Sequence, residues 1–327
     1  MSGRYEKDMK FENKTKNRLK GEPEILTEYY YSLVGAGKSY TTTYNYIGYV
    51  INFLKFTFGE DYKTNEDFYT MVKPVHINKY ISALRTVNRN GETKNASDSI
   101  RTVQWSALNS FFQFLIPEHI DMNPVANTQR PKMKDKPGVT YLTSKEVKKL
   151  LNYVEVNANE KFKNRDLCLL KLGFTTGLRV SAIVQIDIDD IDFKNNQIRV
   201  TEKGDRDEYV MFGEQFKHQL MLWLEDRKKY YGDCKTKALF VSAYNFTRLS
   251  TDAVQDLIKK YSKHVTDKRV TPHVMRHTCA TNLYEKTGDI YLCASQLHHR
   301  NVATTQRYAE ISQSRKKEAT NILDNLI

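Results

Sequence analysis

The chain is short of acid. Its 327 residues carry 51 Lys and Arg against 39 Asp and Glu, a formal net charge of +12 at neutral pH. That deficit disfavours cationic partners and favours a polyanion, of which nucleic acid is the commonest. Cysteine is scarce as well. Cys168, Cys234, Cys279 and Cys293 are far apart and form no CxxC pair, which argues against a disulfide frame or a cysteine-based zinc site. They read as reduced, mostly buried thiols. No apolar run approaches the roughly 20 residues that a membrane span needs. Residues 1–20 hold seven basic and three acidic side chains and no apolar stretch of the kind a secretory signal requires. The expected location is the cytoplasm, and no membrane partner is expected.

Proline is sparse too, at seven residues, but Pro124, Pro131 and Pro137 fall in one stretch. Proline disfavours helix for itself and its predecessor, so residues 127–138 are expected to form an extended linker. Arg130, Lys132, Lys134 and Lys136 alternate along it. Such cations suit an ordinary solvated tether or a series of DNA phosphate contacts, and the charge of the whole chain favours the second. The length accommodates two domains of about 100–200 residues each. Residues 1–20 read as a flexible basic tail. Residues 21–126 read as an all-helical domain: Tyr44, Ile47, Ile51, Leu54 and Phe58 recur at steps of three and four, as do Ile77, Tyr80, Ile81 and Leu84. Ile100, Val103, Ala107, Leu108, Phe111, Phe112 and Leu115 make a third such face.

Residues 139–327 form the second domain. Thr143 and Glu146 have capping-box spacing, a helix covers Arg165 to Phe174, and Gly177 stops it. Three short alternating segments follow, at 188–193, 197–202 and 208–212, with turn residues between them. The fold expected is mainly α with a small antiparallel β-sheet. Thr271-Pro272 then opens another helix with an N-cap and a proline at the first helical position.

The candidate chemistry lies in this second domain. Arg179 sits at a helix start in Thr176-Gly-Leu-Arg-Val-Ser. A planar guanidinium grips two phosphate oxygens at once, and a helix N-terminus adds partial positive charge; a plain surface arginine would look the same in isolation. Arg276 follows His273 by three residues, so both leave one helix face. Lys203 lies at a hairpin tip, where a solvated turn lysine is the alternative to a proton donor. His299 could bond a phosphate or fill a core. Tyr308 is one of twenty-one tyrosines, and tyrosine serves as a covalent nucleophile once its proton is handled.

The ordered set Arg, Lys, His-x-x-Arg, His, Tyr resembles the tyrosine recombinases of the phage-integrase and Xer-like type. Its local contexts are Thr176-Gly-Leu-Arg-Val-Ser, Pro272-His-Val-Met-Arg-His-Thr, and the run from Leu297-His-His-Arg-Asn-Val to Tyr308, nine residues after His299. The resemblance implies a two-domain C-shaped clamp on double-stranded DNA, with a helical core-binding domain and an α+β catalytic domain. It implies Tyr308 as nucleophile, with Arg179, Lys203, His273, Arg276 and His299 assisting. No metal or nucleotide cofactor is implied. The implied partners are a homo-tetramer on two DNA sites and an accessory DNA-bending or directionality protein, with the protein nucleoid-associated. Residues 312–327 would form an amphipathic helix that docks on a neighbouring subunit. Type IB topoisomerase-like relaxation and a regulator with a vestigial catalytic set are the alternatives. Two positions depart from the family pattern: Ala182 replaces an acid, and His298 replaces a glycine.

Overall fold

The structure, a computed structural model, describes residues 3–65, 67–84, 86–89, 92–95, 98–132, 139–202, 206–232, 234–297, 302 and 305. For 3–7, 86–89, 92–95, 202 and 206 it describes the backbone. The chain divides into two compact units, Met1–Lys136 and Pro137–Ile327.

The first unit runs α1 (Gly3–Leu19), α2 (Glu24–Gly35), α3 (Tyr40–Phe58), α4 (Pro74–Ala83), β1 (Thr86–Arg89), β2 (Glu92–Asn95) and α5 (Asp98–Phe114). The apolar spacings noted above fall on α3, α4 and α5. Ile47, Ile51, Leu54, Ile77, Tyr80, Leu108, Phe111 and Phe112 share one buried cluster. Ser39 starts α3 by accepting a hydrogen bond from the Thr42 amide at 3.3 Å, which satisfies one of the donors a helix N-terminus leaves open.

Two expectations are corrected here. Within the expected basic tail, Gly3–Leu19 is instead the helix α1, lying against α3. Its Arg18 guanidinium sits 3.8 Å from the centre of the Tyr44 ring and donates to the Tyr44 carbonyl (2.9 Å) and hydroxyl (2.6 Å). Gly48 leaves room for it: a Cβ there would come within 2.2 Å of Arg18 Nη1. The contact is made by a charged head on an aromatic face, so a search for apolar periodicity passes over it. Second, the unit is not all-helical. β1 and β2 pair antiparallel, with Thr86 opposite Asn95 and Arg89 opposite Glu92. The signal was an Asn90-Gly91 pair between β-branched Val87 and Thr93, a strong short-range hairpin cue. Residues 127–132 of the expected linker have irregular backbone. Trp105 Nε1 donates to Thr128 Oγ1 (2.8 Å), and Thr102 Oγ1 donates to the Pro131 carbonyl (3.2 Å), which ties this stretch to α5.

The second unit runs α6 (Ser144–Asn157), α7 (Glu160–Thr176), α8 (Val180–Gln185), β3 (Ile191–Asp192), β4 (Gln197–Glu202), β5 (Arg206–Met211), α9 (Glu214–Tyr231), α10 (Thr251–Ser262), α11 (Pro272–Thr287) and α12 (Ile290–Gln296). The strands form an antiparallel sheet in the order β3-β4-β5, with Ile198 opposite Val210. The expected first strand is shorter than predicted, because Ile188–Asp190 is a 3-10 turn. The capping box on α6 forms: the Thr143 side chain accepts from the Glu146 amide, and the Glu146 carboxylate accepts from the Thr143 amide at 2.8 Å.

Helix α7 is the axis of this unit. It packs on α6, α9 and α11, and Leu169, Leu170 and Leu172 are fully buried. Its first turns carry charge into the core. Asp166 accepts from Arg165 Nε (2.9 Å) and from the Tyr261 hydroxyl (2.7 Å), while Arg165 Nη1 donates to the Val241 carbonyl (3.1 Å). A buried ion pair tolerates desolvation only when its remaining donors and acceptors are matched in this way.

Candidate active site

The site is built on the C-terminal end of α7. A helix leaves its last carbonyls without intrahelical partners, and here other motifs take them. The Thr175 carbonyl accepts from Cys279 Sγ (3.5 Å) and Gln296 Nε2 (3.3 Å). The Thr176 carbonyl accepts from Gln296 Nε2 at 3.5 Å. The Gly177 carbonyl accepts from Arg276 Nη1 at 2.7 Å, and Arg276 Nη2 reaches the Leu297 carbonyl at 2.5 Å. One guanidinium therefore joins residue 177, two before Arg179, to residue 297, two before His299.

Gly177 makes this knot possible. It caps α7 in the left-handed conformation with φ +65°, which costs a residue with a side chain more than it costs glycine. A Cβ there would also lie 2.6 Å from Leu297 Cδ2 and 3.3 Å from Cys279 Sγ.

Arg276 is buried, at 5% exposure. The two carbonyls orient its guanidinium and carry no formal charge, so they fix the group's direction and leave its cation intact. Burial strengthens the attraction of such a cation for an anion. Helix α11, which carries it, is set from its own start. Thr271 caps it by accepting from the Val274 amide (3.3 Å), Pro272 follows, and Thr278 Oγ1 accepts from the Leu142 amide (3.0 Å). His273, in the first turn, is exposed; it and Arg276 leave α11 at different depths. Arg179 is the N-cap of α8 and is half-buried. Its carbonyl accepts from the Ala182 and Ile183 amides at 2.8 and 3.0 Å. Ala182 is buried against the core. Burial pushes the Cys279 thiol up to about 12, with Arg276 opposing, and the Cys293 thiol up to about 11. Both thiols are protonated at neutral pH and serve here as packing groups.

The structure thus brings the Arg179, Arg276 and Leu297 motifs to one place. Lys203, His299 and Tyr308 lie outside the described residues, as do Lys134, Lys136 and the segment 312–327. Arg130 and Lys132 are exposed. Among the described residues no group of three or more His, Cys, Asp or Glu could hold a metal, and no helix is long and apolar enough to cross a membrane. Sequence reasoning missed Gln296. Its only signal was a polar residue directly before a buried leucine.

A mainly helical unit with a three-stranded antiparallel sheet, in which Gly177, Arg276 and Leu297 of three spaced motifs meet at one helix end, defines the tyrosine-recombinase class. Solved structures share the fold. The XerH site-specific recombinase bound to its difH substrate aligns with TM-score 0.65 at 20% identity, covering 88% of this chain and 81% of that one. A lambda integrase dimer bound to a core site aligns with TM-score 0.65 at 18% identity, covering 87% and 94%. The tyrosine recombinase XerC of Caldanaerobacter subterraneus subsp. tengcongensis is 32% identical over 317 residues, 91% of this chain and 86% of its own length. The phage integrase family model matches residues 140–315. The chain belongs to the phage integrase family and is a tyrosine-type site-specific recombinase.

Proposed function

We propose that this recombinase cuts and rejoins double-stranded DNA through a 3′-phosphotyrosyl intermediate and a Holliday junction, without metal or ATP. The observation that carries this reading is the Arg276 guanidinium bridging the Gly177 and Leu297 carbonyls. It supports the convergence of all three motifs on one phosphate. The Tyr308 phenol oxygen attacks phosphorus and the bond to the 5′ oxygen breaks. Arg179 and Arg276 hold the non-bridging oxygens, with His299 assisting. Preorganised cations of this kind are worth about 100–1000-fold each. The Lys203 ammonium protonates the departing 5′ oxygen. His273, exposed on the first turn of α11, gives acid–base support by taking the phenol proton. The covalent link conserves the phosphodiester bond energy, and a 5′ hydroxyl from the partner strand reverses the step.

In this reading residues 21–126 bind DNA, the stretch 127–138 lays Arg130, Lys132, Lys134 and Lys136 along phosphates, and residues 139–327 carry the chemistry. A tetramer acts on two sites, as in the solved lambda integrase tetramer on a Holliday junction, with residues 312–327 docking between subunits. An accessory DNA-bending or directionality protein joins this assembly. The likeness to the Tn1549 transposon integrase supports service to a mobile element.

Covalent trapping tests the reading. Nicked suicide duplexes from the flanking genome are incubated with wild type and with Tyr308→Phe, and denaturant-resistant adducts are scored. An adduct from wild type alone is expected, and its sequence locates the cut. Adducts from both would move the nucleophile elsewhere. Binding without any adduct would favour a vestigial regulator, and relaxation of supercoils without paired sites would favour topoisomerase-like action.

A further inference from the structure

We propose that Arg248 is a positioning residue for Arg179, acting through the far end of α8; the inference rests on the reading of Arg179 as a phosphate-binding group. Helix α8 is six residues long, about 9 Å at 1.5 Å per residue. A helix this short is not stable by itself, so its placement is imposed from outside. Ala182, Ile183 and Val184 give it a buried face. Its N-terminal end opens on Arg179 as the N-cap, two residues after the Gly177 carbonyl that Arg276 holds at 2.7 Å.

The C-terminal end is held firmly. Arg248 Nη1 donates to the Val184 carbonyl (2.9 Å) and the Ile186 carbonyl (3.3 Å), and Nη2 donates to Asp187 Oδ1 (2.6 Å). These are carbonyls that a helix end leaves open, and a cation there also meets the negative end of the helix dipole. Only a planar fork makes all three contacts from one group. Arg248 is itself anchored. It pairs with Val241 in a β-bridge, and the Leu249 amide donates to the Phe240 carbonyl at 2.9 Å. The segment it grips is fastened to the same region by Ile188 N to Lys237 O (2.9 Å) and Leu239 N to Ile186 O (2.8 Å). Six residues separate this fixed point from Arg179, so a tilt at one end of α8 is delivered to the guanidinium at the other.

Two readouts on the full-length chain test this. The first needs no substrate. In arginine-labelled protein, the side-chain Nε–H resonance of Arg179 is assigned by its loss in Arg179→Lys. It is expected to shift or broaden in Arg248→Lys and Arg248→Gln, with the resonance of Arg165 unmoved. Lys237→Ala breaks only the exposed Lys237–Asp189 pair of the same acidic turn and should leave the Arg179 signal in place. An unmoved Arg179 signal in both Arg248 variants would overturn the proposal, whether or not wild type cuts DNA. The second readout uses the site found by trapping. A 1 Å misplacement of a catalytic group can cost about 100-fold, so adduct formation should slow by about 10–100-fold at unchanged DNA affinity. Arg248→Lys should be no better than Arg248→Gln, since it restores the charge but not the fork. In an Arg179→Ala background the Arg248 effect should vanish. A slowing that persists there would assign Arg248 a merely structural role. Absence of any wild-type adduct would count against the proposed function, while the resonance result would still decide the positioning.

Discussion

The two units bury different things. Among the described residues the first unit encloses rings and neutral polar groups: Tyr29, Phe53, Tyr62, Phe68, Phe111 and Phe112, with Thr43, Thr102, Gln104 and Asn123. The second encloses charge as well, in Arg165, Asp166, Arg227 and Arg276. Each of these is matched. Arg227, for example, donates to the Ala238 and Thr236 carbonyls at 3.1 and 2.8 Å. Aromatic packing stabilises without direction-sensitive partners beyond ring geometry. Buried ions are costly and demand specific geometry. The difference teaches where the chain needs stability and where it needs aim.

The sharpest break of this contrast is Arg276→Ala. It should lower adduct formation by about 100–1000-fold. It also leaves the Gly177 and Leu297 carbonyls without a donor, which costs about 1–3 kcal/mol. Single-turnover cleavage and calorimetry read both, and an enzyme that still cuts at the wild-type rate would remove Arg276 from the site. The counterpart in the first unit is Phe112→Ala, expected to cost about 3–5 kcal/mol in cavity and lost transfer energy. Denaturant unfolding followed in each unit should place that loss in residues 1–136 and leave the second unit's transition where it was. Gly177→Ala falls next. It meets both the left-handed conformation and the Leu297 contact, and about 1–3 kcal/mol is expected, with cutting impaired before stability fails. The smallest effect concerns Glu146. Burial works to raise its pKa, but Lys268 and the Thr143 groups overcome it and hold the carboxyl below its ordinary value. A lowered folded pKa stabilises above the ordinary carboxylate range and is lost as pH falls through the folded value. Glu146→Gln should therefore flatten the acid limb of the stability curve by less than about 1 kcal/mol, since the pair with Lys268 is partly exposed.

The same contrast explains what the sequence made legible. Helical faces such as Ile47–Ile51–Leu54 announce themselves by period, and Thr143 to Glu146 and Thr271-Pro272 announce helix starts by local chemistry. Those signals live within one turn or two. Arg179, His273 and Arg276 were legible through their boxes, because each box is itself a local string. The knot was not, since its bonds join carbonyls to side chains far along the chain, and a carbonyl looks the same in every residue. Arg248 is hidden for the same reason: its partners are the Val184 and Ile186 backbones. Helix α1 was misread because its anchor is a cation on a ring, and the β1–β2 pair because charge and asparagine hid its alternation.

The knot at the end of α7 also carries a consequence for how a copy of this enzyme is made. Its bonds close long loops: 99 residues separate Gly177 from Arg276, and 121 and 120 separate Gln296 from Thr175 and Thr176. Contacts so distant in sequence form late, after nearer ones have organised the chain. During synthesis, residues up to 270 emerge before Arg276 does, so the clasp on Gly177 cannot yet exist. The order that Arg276 imposes on Gly177 and Leu297 is in this way among the last features that a new copy acquires.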